Sequence, residues 1–105
     1  MITVEIEPGI CGLPSRALCN CEDGQNCTIE FTTQCDALKP LEAELKELDA
    51  FATAFGKVGE TAAYTAIRAH CIHAACPVPL AVTKGVEAAA GLALPRDCTV
   101  KLHRS

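Results

Sequence analysis

Between His70 and Pro79 the chain reads His-Cys-Ile-His-Ala-Ala-Cys-Pro-Val-Pro, which sets two thiols and two imidazoles within seven residues. Sulfur and imidazole are the donors that zinc and iron–sulfur clusters select. Two nearby thiols can also cycle between dithiol and disulfide. Pro77 and Pro79 stiffen the backbone beyond the cluster, which suits a turn presenting side chains to a common point. A single cysteine here would equally serve as a small buried hydrophobe. The grouping of four donors is what points to metal or redox chemistry.

The remaining thiols add to this donor set. Cys11 lies in the loop Pro8-Gly9-Ile10-Cys11-Gly12-Leu13-Pro14, where glycines let the backbone approach an ion or simply turn. Cys35 and Cys76 each stand just before an expected helix, whose partial positive charge favours a thiolate. Cys11, Cys35, Cys71 and Cys76 are therefore the expected four-cysteine ligand set for Zn2+ or an iron–sulfur cluster. His73 and His70 stand in reserve or as outer partners of the ligands. His70 can equally meet the carbonyls at a helix end, and His103 is expected in solvent. Cys19, Cys21 and Cys27 are expected to pack, with a metal or a disulfide as the alternative, because Cys19-Asn20-Cys21 is short for a zinc knuckle. Two other functions stay open: a thiol–disulfide pair on Cys71 and Cys76, wider than the usual C-x-x-C, and a non-catalytic interaction domain with packed cysteines.

The elements that must position these residues follow from periodicity. Ile2, Val4 and Ile6 alternate with Thr3, Glu5 and Glu7, a half-buried strand ended by Pro8-Gly9. Residues 15–35 read as strand, turn, strand around Glu22-Asp23-Gly24-Gln25, with Cys27, Ile29, Phe31, Thr33 and Cys35 on one face. A three-residue loop at Asp23–Gln25 pairs Cys21 with Cys27 and sets Cys19 near Ile29; a two-residue loop at Asp23-Gly24 moves Cys27 to the other face. A helix then starts at an Asp36 cap, with Leu38, Leu41, Leu45 and Leu48 as a stripe that continues through Phe51 and Phe55. After the break at Gly56–Gly59, a second helix runs from Thr61 through Tyr64 and Ile67 toward His70. A third starts at Pro77 and carries Leu80, Val82, Val86 and Ala90. Asp97–Leu102 reads as a last strand closing the sheet beside the first. The expected fold is α+β in the order β-β-β-α-α-α-β, one domain over residues 1–105. In such a meander the ends of the first and third strands share an edge of the sheet, which the second helix junction covers. The four sulfurs are expected to meet there.

Composition narrows the function. Of 105 residues, 50% are hydrophobic and only 4% aromatic with no Trp, so the core is made of small side chains. A net charge of −4 with scattered Lys and Arg supports neither nucleic-acid binding nor an anionic membrane surface. The N-terminus lacks a basic, apolar leader, and no run approaches the ~20 apolar residues that cross a bilayer. A cytoplasmic protein is expected, where thiols stay reduced; this ranks metal ligation over redox thiols and both over structural disulfides for the eight cysteines. No phosphate-cradling loop or nucleophile elbow supports a hydrolase or transferase. Enzymatic activity is therefore less expected than binding, and a protein partner or homo-oligomer is compatible with the chain.

The order of parts resembles the NifU/IscU-type iron–sulfur cluster scaffolds: Cys11 after the first strand, a hairpin, Cys35 where strand gives way to helix, then His70-Cys71. The resemblance implies a cluster or zinc site on those residues at one end of the domain. The chain departs from that pattern in Gly12-Leu13-Pro14 after Cys11, Asp36 after Cys35, and the additional Cys76. Along the sequence, Pro8–Gly12, Cys71–Pro79 and Gly91–Pro95 resemble more closely an uncharacterised family of small cysteine-rich domains from anaerobic microbes, which implies no activity.

Overall fold

The computed structural model describes residues 1–105. Its four strands are β1 (Ile2–Ile6), β2 (Ser15–Asn20), β3 (Asn26–Thr33) and β4 (Glu47–Asp49), antiparallel neighbours in sequence order. Strict alternation drives β3: Cys27, Ile29, Phe31 and Thr33 are buried, while Asn26, Thr28, Glu30 and Thr32 face solvent. Cys19 lies opposite Ile29, the register of the longer hairpin loop. The turn explains why that loop wins. Asp23 accepts from the backbone amides of Gln25 (2.9 Å) and Asn26 (2.7 Å) and from the Asn26 side chain (3.0 Å), and Gly24 takes a φ of 74° that other residues resist.

Residues 36–55 do not form the single helix expected. Cys35, not Asp36, caps a short 3-10 turn at Asp36–Leu38; α1 (Leu41–Glu44), β4 and α2 (Ala50–Phe55) follow. The helix stops because Leu45 turns to φ −92°, ψ 83°, and the next carbonyl, Lys46 O, accepts from Ile29 N at 2.7 Å. Without this partner the outer backbone of β3 would be left unpaired, a cost that exceeds the modest helix preference of Glu and Lys. Leu38, Leu41, Leu45 and Leu48 are nonetheless all buried, because a turn, a helix and a strand in succession aim them inward. Phe51 and Phe55 do not continue that buried stripe: they are exposed, with ring centroids 6.2 Å apart.

Asp49 caps α2 by accepting from Ala52 N at 3.0 Å. Its carboxyl, like that of Asp23, is held below the usual carboxylate range, in each case chiefly by a backbone amide. A carboxylate depressed in the folded state stabilises it above the unfolded value and loses that effect as pH falls through the folded one. Urea midpoints should therefore drop between about pH 5 and pH 3, and less so in Asp23→Asn/Asp49→Asn, whose amides still cap but do not titrate. An equal drop in the double variant would remove these two carboxylates from the acid response.

The remaining helices are α3 (Ala62–Arg68), capped by Thr61, and α4 (Val78–Ala89), with Pro77 at its N-cap. α4 packs over β1 and β2, burying Val78, Val82 and Val86, while Leu80 is exposed. No helix is long and apolar enough to cross a membrane. The fold is thus α+β, but the fourth strand of the sheet is Glu47–Asp49. Residues 97–102 form no strand in the chain: the alternation is present and its partner is not.

Candidate thiol site

Three cysteines gather at the end of the sheet where β3 stops and α4 begins. Cys35 follows β3 by two residues, and its amide donates to Thr33 Oγ1 at 3.0 Å. That hydroxyl shares a buried 2.7 Å hydrogen bond with Ser15 Oγ, which ties Cys35 to the β2–β3 pairing. Cys71 leaves α3 with its amide still bonded to Ile67 O at 3.0 Å. Cys76 immediately precedes Pro77. All three are half-buried and pack on the core.

Cys71 and Cys35 both lie near enough to Cys76 to act on its thiol electrostatically. Burial pushes the Cys76 thiol up to about 11; the Cys71 and Cys35 sulfurs push the same way, against a contact from the Val78 amide. The helix start therefore does favour the thiolate, as expected, but burial outweighs it. At neutral pH Cys76 is a thiol.

The other expected ligands stand apart. Cys11 is exposed in its loop, where Gly12 N bonds Gly9 O at 3.0 Å and both glycines have positive φ, at 91° for Gly9 and 66° for Gly12. This loop is at the same end as Cys35, since Ile6 pairs with Ser15, Ser15 with Thr33, and Gln34 N bonds Pro14 O at 3.0 Å. His70 Nε2 lies 2.6 Å from Glu44 Oε2, linking α3 to α1, and His73 is exposed. Cys11 is not among the groups that act on Cys76, and no group of three or more His, Cys, Asp or Glu side chains is arranged to hold a metal ion.

The hairpin cysteines divide. Cys19 packs as expected, fully buried, its thiol pushed up to about 11 by burial alone. Cys27 is likewise fully buried and Cys21 packs against the core, and the two also form a disulfide across the hairpin. The register carries the signal for it, because strand partners facing the same side bring their Cβ atoms together. With a sequence separation of 6, the cross-link closes a short loop worth about 2 kcal/mol in chain entropy. Reduction should lower the stability measured by urea unfolding by that amount. An unchanged midpoint would mean that the Asp23 turn already holds the hairpin without it.

The sequence profile of DUF6951, a family of unknown function, matches residues 2–102. No curated protein and no solved structure matches the chain.

Proposed function

The chain belongs to the family of unknown function DUF6951, and from that premise we propose a metal-binding protein that holds Zn2+ or an iron–sulfur cluster on cysteine thiolates. Cys35, Cys71 and Cys76 form the core of the ligand set, and Cys11 is its fourth member. The observation that carries this reading is the placing of Cys71 and Cys35 close enough to Cys76 to raise its pKa, all three half-buried against the core. Each thiolate in such a group raises the pKa of the others, and a cation at their centre reverses that repulsion and releases their protons. Cys11 is carried to the same end of the sheet by a loop with two glycine hinges, so bringing it in requires loop motion and no change in the sheet.

Cluster handling or electron transfer in the cytoplasm is part of the proposal; what supports it is the sequence order of Cys11, a hairpin, Cys35 and His70-Cys71, which resembles that of NifU/IscU-type scaffolds. Anaerobic purification, metal analysis and an absorption spectrum test it, followed by titration with Co2+, whose thiolate complexes are coloured. Folded protein that is metal-free, colourless and blind to Co2+ would end this reading.

The nearness of Cys71 to Cys76 also favours a second reading, in which the two form a redox pair. Oxidation by glutathione disulfide would join the two sulfurs and yield two glutathione thiols. Mass spectrometry after poising should then find a reversible loss of two hydrogens on the peptide carrying both residues. Its absence at every poise would exclude this reading.

A further inference from the structure

The two edges of the sheet are built differently. β4 is three residues long and carries Glu47 and Asp49, a short, charged edge of the kind that resists pairing. β1, at the other edge, runs five residues in unbroken register with β2, with no proline, no bulge and no charge on its inner face. One side of its backbone has no strand partner. Its inner face is incompletely covered as well: Ile6 is buried, but Ile2 and Val4 are half-exposed.

The tail has the opposite defect. Cys98, Val100 and Leu102 alternate with Thr99, Lys101 and His103, yet the whole segment is exposed, Val100 by 77% and Leu102 by 88%. An alternating apolar row in solvent is a strand face without a sheet. α4 delivers this tail to a definite place. Gly85 packs against Val4 and Cys19, and a Cβ on Gly24 would stand 4.0 Å from the Ala90 carbonyl oxygen, so the helix ends near the hairpin, beside Ile2. A strand leaving that point along β1 runs parallel to it.

We propose that residues 98–102 are the outer strand of this sheet and that a second copy supplies them, two chains exchanging tails so that each covers the other's β1. In parallel register, Val4 beside Val100 puts Ile2 beside Cys98 and Ile6 beside Leu102 on the inner face. The open face then pairs Thr3 with Thr99, Glu5 with Lys101 and Glu7 with His103, and places no like charges together. Exchange is favoured over self-pairing by Pro95, which forces Leu94 into extended backbone and stiffens the short connection after Gly91. The tail of a single chain is accordingly unpaired. Reciprocal exchange gives a closed twofold dimer, in which both β1 strands are paired and no tail is left free to recruit a further copy. This inference is independent of the thiol site.

Light scattering on the full chain, in reductant so that Cys11 and Cys98 cannot cross-link, should find a dimer that dissociates on dilution. A chain ending at Arg96 should be monomeric with unchanged far-UV helical signal, and Val100→Pro should behave the same way. Lys101→Glu should weaken the dimer about two- to fivefold, and Glu5→Lys/Lys101→Glu should restore it. A monomer at all concentrations would overturn the exchange, and amide protection of residues 98–102 in that monomer would mean that the tail folds onto its own edge. A dimer surviving truncation would overturn it in favour of another interface, and a charge swap that fails to restore pairing would overturn the register.

Discussion

Replacing Gly85 with alanine should destabilise the protein by about 2 kcal/mol, although alanine is the better helix former by roughly 1 kcal/mol. Gly85 lies inside α4 where the helix crosses β1 and β2, and it is buried. A Cβ built there would come to 2.9 Å from Cys19 Sγ and closer still to Val4 Cγ2. Neither neighbour can yield easily: Cys19 is fully buried, and Val4 is branched at Cβ and held in β1. The helix must then lift off the sheet, which opens gaps along Val82 and Val86. For a domain of this size the change should lower Tm by about 8–16 °C. Val4→Ala in the alanine background should recover part of the loss, because it removes the closer obstruction, whereas alone it should destabilise. A Gly85→Ala protein as stable as the parent would show that α4 does not approach the sheet so closely.

The same close approach shows what the sequence makes legible and what it hides. β1 and the hairpin are evident as alternation, because a strand with one buried face must alternate. Alternation alone leaves the hairpin register open between two loops, and Asp23 decides it by satisfying two backbone amides at once. The Cys21–Cys27 disulfide becomes readable only once that register is set. Residues 36–55 mislead for a physical reason. Leucines spaced three and four apart satisfy a helix, but they also satisfy a turn, a helix and a strand wrapped around one core, and the backbone demand of β3 selects the second path. That demand is long-range and has no local signature. The tail alternates as a strand should, but it pairs with no strand of the sheet.

For the site, the meander carries Cys35 and the α3–α4 junction to one end, and that much follows from the order of elements alone. The position of Cys11 does not, because two left-handed glycines and no buried side chain set the path of its loop. Nor does the high Cys76 pKa: a helix start is visible in the sequence, whereas the burial that overrides it belongs to the packed core.

That packed environment makes Cys71→Ser the decisive substitution for the proposed metal site. Losing an outer partner of a ligand typically weakens metal binding 10- to 100-fold, so loss of a ligating sulfur should exceed about 100-fold. Serine approximates the size and hydrogen bonding of cysteine, and Cys71 is only partly buried, so the variant should fold. Metal held by the folded state alone stabilises it by about 2.7 kcal/mol at a hundredfold excess over Kd, or roughly 10–20 °C in Tm. Zinc should therefore raise the melting temperature of the parent by that amount, chelator should reverse the rise, and Cys71→Ser should respond to neither. Cys98→Ser, in the exposed tail, should respond as the parent does. If zinc shifted the parent and Cys71→Ser alike, the metal would be binding elsewhere, and the nearness of Cys71 to Cys76 would be left to the redox reading.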